Sequence, residues 1–372
     1  MRVPFVDLTR EASGCHNEIM EKCDEVIQSG QFISGPNVKR FEEKVANYLK
    51  VRHVISVGNG SDALVFILRS LGIGSNDEVI CPSNSFIASG WAIEAVGATP
   101  IFCDVEDDFL ISKKSVQSHI SRRTKAIMAV HLTGRVVDFN WLTELASEYG
   151  IEIVEDAAQA FGAHNEKGVF AGAMGVAGAI SLHPLKNLSV CGDGGLVTTN
   201  SNEMAENCKL LRNHGLISRD EAKIWGFNSR LDEIQAAIGL VKMNYIDEWL
   251  ERYIEIANIY DQRLSDKIKK PKIRRQTKDV YHNYVICVDS EIRDTMQEYL
   301  AREGVETKVH YPIPIHMQEC ALSSRKVKVS LERTEKLAKE MISLPIYPNL
   351  STAEIIHVAN TVNKACKYFS GK

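Results

Sequence analysis

The chain has 372 residues and a formal net charge of −4, with 48 acidic against 44 basic residues interspersed along it, which argues against a broad nucleic-acid surface. That length exceeds what a single core keeps filling, so a large domain (1–245, including the N-terminal segment) and a smaller one (246–372) are expected. No stretch of eighteen unbroken apolar residues occurs, and Met1–Asp7 lacks a long apolar run after a basic start; no membrane span and a cytoplasmic location are expected.

Taken in chain order, short β-branched runs alternate with stretches of helical period from Val54 to Thr199, the pattern of a sheet covered on both faces by helices. Strands are predicted at His53–Val57, Glu78–Cys81, Thr99–Cys103, Ala126–Val130, Ile151–Glu155, Ala179–Leu182 and Gly195–Thr199. Between them, helices at Ala63–Leu71, Phe86–Val96 and Phe139–Tyr149 stop at Gly72, Gly97 and Gly150, and Ser61 and Asp138 stand at N-cap positions. A helical stretch from Arg230 to about Ser265, broken near Asn244, then leaves the sheet domain. Beyond it follow a strand at Tyr284–Val288, a helix at Arg293–Glu303, an extended Tyr311–Pro314 segment and a last helix at Ala353–Tyr368.

Two compositional features complete the scan. Lys267, Lys269, Lys270, Lys272, Arg274 and Arg275 form one basic run, expected as a solvated loop. Nine cysteines are scattered singly from Cys15 to Cys366, without the spacing of a zinc site or the density of a disulfide framework; they are expected as reduced core thiols, with no metal bound.

Three motifs fall at strand ends, where ligands collect in sheets of this type. Gly58-Asn59-Gly60-Ser61-Asp62 precedes a helix, so free N–H groups and the positive helix end could seat a phosphate, although a glycine turn here can also be purely structural. Glu155-Asp156 emerges from a buried strand and needs a partner for its charge: a pyridinium N–H, or a cap or internal salt bridge. Lys186 lies thirty residues later in SLHPLKNLSVCGDGG, where desolvation would lower its pKa. A lysine amine and a buried aspartate are how proteins hold pyridoxal phosphate, through an imine to the aldehyde and an ion pair to the ring nitrogen. A lone lysine is ordinarily a surface charge; the three motifs in this order outweigh that.

The segments VPFVDL, SGQFISGPNVKRFEEKVANYL, GNGSDAL, DEVICPSNSFIASGWAIEAVGATPIFCDV, TKAIMAVHLTG, EDAAQAFGA, HPLKNL, GDGGLVTTN and GFNSRLDEIQAAIG resemble, in order and over nearly the whole chain, the DegT/DnrJ/EryC1/StrS family of nucleotide-sugar aminotransferases. The resemblance implies an α/β fold of the type I PLP-dependent transferases (aspartate aminotransferase-like), with a mostly parallel seven-stranded sheet and a smaller C-terminal α/β domain. It also implies a homodimer with active sites at the subunit interface. By position Lys186 would bond the cofactor, Asp156 pair with its pyridine nitrogen, Gln159 meet its ring oxygen and Phe86 stack on its face. Ser61, the backbone around Gly60 and Asp62, and Ser181 would hold the phosphate, completed by Asn228 of the neighbouring subunit. Leu182, Ser61 and Thr133 depart from the family's usual residues; Leu182 and Thr133 bear on pocket shape.

The activity so implied is transfer of an amino group from L-glutamate to a keto-sugar on a nucleoside diphosphate, for a surface polysaccharide such as O-antigen or for a glycosylated metabolite. Lys308–His316 resembles the stretch that meets the substrate in relatives aminating C3, so a 3-keto sugar on dTDP or UDP is expected, with a 4-keto sugar as the alternative. His310 and Tyr311 would contact the sugar or diphosphate, or YPIP would be only a rigid connector. Arg230 is a candidate for substrate anions across the interface, and His183 is either a substrate contact or a satisfied core histidine. A PLP-dependent sugar dehydratase would carry histidine in place of Lys186, and a regulatory homologue would show a degraded site. GNGSDAL lacks the glycine spacing of a dinucleotide fingerprint.

Overall fold

The computed structural model describes residues 1–274, 276–324 and 329–369. Seven strands, β1 (His53–Val57), β2 (Glu78–Pro82), β3 (Thr99–Cys103), β4 (Thr124–Val130), β5 (Glu152–Asp156), β6 (Ala177–Ser181) and β7 (Gly195–Thr199), form one sheet in the order β1-β7-β6-β5-β4-β2-β3. Only the two pairings of β7 are antiparallel. The carboxyl ends of β1, β2, β4, β5 and β6 therefore share one edge. The central strands are buried along almost their whole length, as a sheet sandwiched between helices requires.

β5 and β6 sit slightly out of the expected frame, with consequences for the site. β5 ends on Asp156 rather than Glu155, and β6 ends on Ser181, leaving Leu182 fully buried in the core. Helices at Gly60–Ser70, Ile87–Ala95 and Phe139–Tyr149 fill the connections, each followed by the expected left-handed glycine. Asp138 caps its helix by accepting from the Asn140 N–H at 2.9 Å. Ser61 does not: Asn59 is the extended residue ahead of the helix, and its Oδ1 accepts from the Asp62 N–H at 2.8 Å. Gly60 is already helical, which places Ser61 inside the first turn.

The long helical stretch is two helices, Glu233–Lys242 and Ile246–Arg263, and Arg230 precedes the first of them. Helices at His16–Ser29 and Pro36–Leu49 pack before β1, the second against β1 and both against Glu233–Lys242. In the C-terminal part β8 (Tyr284–Cys287) pairs antiparallel with β9 (Met341–Leu344), a strand not foreseen from the sequence. Their inner residues join Ile246–Arg263, Arg293–Arg302 and Thr352–Phe369 in one apolar core, which also takes in Val3. Val3 bridges Val305, accepting from the Glu306 N–H and donating to the Gly304 carbonyl, so the first residues of the chain add to this layer.

The basic run is anchored more than solvated. Lys270 Nζ donates to the carbonyls of Asp261 and Leu264, Lys269 meets Asp107 at 3.3 Å, and Arg274 is bound to Asp279; Arg275 lies outside the described residues. Among the cysteines, Cys191 and Cys320 are exposed and Cys23 is half-buried, so these three are not core thiols. No helix among the described residues is long and apolar enough to cross a membrane.

Candidate active site

Residues at the shared carboxyl edge of the sheet enclose a cavity of about 360 Å³, within the ~300–1,000 Å³ of small-molecule sites. Asp156 reaches it as the last residue of β5. Its Oδ2 accepts from Ser89 Oγ at 2.7 Å, and Ser89 is in turn bonded to Ser85 Oγ at 2.7 Å; Oδ1 accepts from the Ala158 N–H at 3.2 Å. One hydroxyl, itself held by a second, and one N–H thus hold a buried carboxylate in place, with lone pairs left for a ligand.

Glu155 points to the other face of the strand, as alternation requires. Its carboxylate accepts from the N–H groups of Gly172, Met174 and Gly175, each at 2.7 Å, and lies 2.8 Å from His131 Nε2. Since His131 Nδ1 accepts from the Val137 N–H, the ring proton is assigned to Nε2. The acidic dipeptide therefore divides into an internal anchor and a site residue.

Lys186 lines the cavity from the loop after β6, whose turn is closed by its own N–H donating to the His183 carbonyl at 2.8 Å. Burial, partly opposed by the negative charge of Asp156, brings its amine down from the ordinary lysine range to about 8. A substantial neutral fraction at physiological pH is what a nucleophile and proton carrier needs.

At the opening of the Gly60–Ser70 helix, Gly60 and Ser61 line the cavity, and no carbonyl of the helix reaches their N–H groups. This end is pressed against the sheet: a Cβ on Gly195 would lie 2.3 Å from the Asn59 carbonyl carbon and oxygen. Ser181, at the end of β6, also lines the cavity. Asp62 does not, and both its groups are engaged. Its N–H goes to Asn59, and its carboxylate accepts from Ser229 Oγ at 2.6 Å and Asn59 Nδ2 at 3.1 Å. The free end of the helix, the serines at 61 and 181, Asp156 and Lys186 form a set that fits a phosphorylated pyridine aldehyde.

Phe86 precedes its helix with extended backbone, so its ring turns out of the core and stands 53% exposed at the cavity, 5.6 Å from the Tyr311 ring. Gln159 is buried at the cavity wall, accepting from the Thr133 N–H at 2.7 Å and donating to Tyr311 Oη at 3.2 Å. His310 and Tyr311 line the same cavity, and His310 is oriented by Ser343 Oγ at 2.9 Å. Burial, then Lys186 and Lys308, bring the His310 imidazole down to about 4. His183 is exposed at the rim.

Asn228 and Arg230 do not line this chain's own cavity. Asn228 is exposed, and Arg230 donates to Asn213 Oδ1 at 3.2 Å. Sequence reasoning missed Ser89, one helical turn beyond Phe86, and His282, which reaches the cavity from nearly a hundred residues beyond Lys186. No local pattern marks either position.

A family model described as the DegT/DnrJ/EryC1/StrS aminotransferase family matches residues 14–363. The chain is 40% identical over 365 residues to the dTDP-3-amino-3,6-dideoxy-α-D-galactopyranose transaminase of Aneurinibacillus thermoaerophilus, covering 97% of this chain and 99% of that one. It is 37% identical over 376 residues to a pleiotropic regulatory protein of Geobacillus stearothermophilus, with 100% of both covered. Among solved structures it is similar to DesV of S. venezuelae in complex with a ketimine intermediate, with a TM-score of 0.94, 37% identity and 98% of each chain covered.

Proposed function

The chain belongs to the DegT/DnrJ/EryC1/StrS aminotransferase family, and on that premise we propose that it moves the amino group of L-glutamate onto C3 of a keto-hexose carried by dTDP or UDP. It is a transaminase whose cofactor is pyridoxal phosphate. The observation that carries the reading is the convergence of Lys186, with an amine brought down to about 8, and a positioned Asp156 in one cavity. A relative with a regulatory name is equally similar, but a chain that had lost catalysis would have no need to keep these two groups together.

Pyridoxal phosphate supplies an electron-accepting ring that carries the amino group between the two substrates. In the proposal Asp156 holds the proton on the ring nitrogen, Phe86 covers the ring face, and Gln159 directs its remaining N–H to the ring oxygen. Ser61, Ser181 and the N–H groups of Gly60 and Ser61 bind the phosphate; the engaged N–H and carboxylate of Asp62 give that residue the task of shaping the turn. Lys186 Nζ takes the proton from the donor's α-carbon and delivers one to the sugar carbon. The same group serves both halves because its pKa lies near working pH.

His310 and Tyr311 are the proposed sugar contacts, and their place in the cavity together with the C3-aminating relative favours C3 over C4. Asn228 and Arg230 are proposed to enter the cavity of a second copy. Their absence from the lining of their own cavity and the exposed Ile217, Trp225 (94%) and Phe227 nearby in sequence support a homodimer with shared sites. A cytoplasmic enzyme that supplies amino sugars to a surface polysaccharide or a glycosylated metabolite completes the proposal.

The test is a panel: the pyridoxamine form is mixed with dTDP-3-keto-6-deoxygalactose, UDP-N-acetyl-3-dehydroglucosamine and their 4-keto counterparts, and return of the aldehyde absorbance is followed. A 3-keto sugar should react fastest. Faster reaction of a 4-keto sugar moves the site of amination, and reaction only with a carbonyl compound outside the panel ends the sugar reading.

A further inference from the structure

His282 carries an imidazole that no contact within the protein explains. It lines the cavity beside Lys186, His310 and Tyr311. Its Nδ1 is shut off from solvent and has no hydrogen-bond partner. Its Nε2 is not enclosed in this way and makes no hydrogen bond among the described residues, so this nitrogen is the one left to the cavity. Buried polar atoms in folded proteins are almost always paired, and a leucine of similar size would fill the same space without an orphaned nitrogen. Packing alone is therefore a poor reason for histidine here.

The backbone that carries the ring is also held firmly. Val280 donates its N–H to the Gly134 carbonyl at 2.9 Å, and Asn187, next to Lys186, donates from Nδ2 to the Val280 carbonyl at 3.3 Å. Gly134 approaches so closely that a Cβ there would lie 2.8 Å from the His282 nitrogen of the backbone. Two residues in the left-handed region, Thr133 (φ 61°) and Tyr281 (φ 48°), flank this crossing. Such backbone is uncommon for β-branched and bulky residues and gathers at binding sites.

The chemistry of the surroundings selects the ligand. Burial, then the charges of Lys186, His310 and His183, push the His282 pKa well below the ordinary range, so the ring is neutral. With Nδ1 enclosed, the neutral ring offers the cavity a single nitrogen, which can give or take one hydrogen bond with a hydroxyl and carries no charge to pair with an anion. No arginine lines the cavity among the described residues.

We propose that His282 is a specificity residue that hydrogen-bonds, through Nε2, the hydroxyl beside the keto carbon of the sugar. The assignment rests on the sugar-aminotransferase reading above and deepens it. L-Glutamate has no hydroxyl, so the two half-reactions separate the sugar contact from any general role. His282→Leu retains bulk and removes the contact; His282→Gln places an amide near the position of Nε2.

The holoenzyme and both variants are reacted in single turnovers, first with glutamate and then, as pyridoxamine forms, with whichever panel sugar the unaltered protein accepts. Visible absorbance of bound cofactor checks that each variant is loaded. The expected result for His282→Leu is a loss in the sugar half at least about tenfold greater than in the glutamate half, seen mainly as weaker sugar binding, with most of it recovered in His282→Gln. Equal losses in both halves, or a glutamine variant as slow as the leucine variant, would overturn the contact and leave His282 a packing residue. If the unaltered protein takes the amino group from glutamate but passes it to no panel sugar, the sugar reading itself has failed and this assignment goes with it.

Discussion

Glu155 and Asp156, adjacent at the end of β5, face opposite sides of the sheet: one carboxylate gathers three backbone N–H groups and His131, the other is braced by Ser89 at the cavity. The pair therefore separates stability from chemistry. Glu155→Gln turns an amide N–H toward donors and should lower unfolding free energy by about 2–4 kcal/mol in urea titrations. Asp156→Asn should leave stability within about 1 kcal/mol while cutting kcat by roughly 10²–10³, because a charge placed for the reaction is lost. Equal stability loss in both variants would contradict the division.

Gly195 tests the seating of the phosphate. Any side chain there meets the backbone of Asn59 and Gly60, which has nowhere to yield without moving the helix end. Gly195→Ala should weaken pyridoxal phosphate binding at least about tenfold by fluorescence titration and reduce stability by about 1–3 kcal/mol. Unchanged affinity would show that this helix end does not hold the cofactor.

The amine of Lys186 gives a pH dependence with a fixed sign. The neutral form attacks the aldehyde, and with its pKa brought down to about 8 the neutral fraction rises from about a tenth at pH 7 to about nine tenths at pH 9. The rate at which cofactor-free protein takes up pyridoxal phosphate should rise about tenfold over that interval and then level off. A rise that continues to a midpoint near 10 would mean that burial does not act on this amine.

How much of this was legible in the sequence depends on how local each signal is. The strands and the glycine stops were readable because β-branched runs and helix ends are set by neighbouring residues. Asp156, Lys186 and Ser61 stood at strand ends within short motifs. β9 was missed because Met341–Leu344 is a four-residue strand that forms only against distant partners, β8 and Lys308, and Ser61 was taken for a cap two residues too late because Asn59 supplies the same chemistry. From the residues alone Glu155 and Asp156 could not be told apart; the family resemblance singled out Asp156, and the end of β5 places it at the cavity. His282 and Ser89 owe their place to tertiary packing, which no spacing records.

The covalent attachment to Lys186 is tested most directly by trapping it. The holoprotein is reduced with borohydride, digested and mapped by mass spectrometry. The account predicts the pyridoxyl group on the peptide containing Lys186 and on no other lysine, with none incorporated in Lys186→Ala. Label on a different lysine, or a protein that remains colourless and unlabelled when pyridoxal phosphate is supplied, would contradict it.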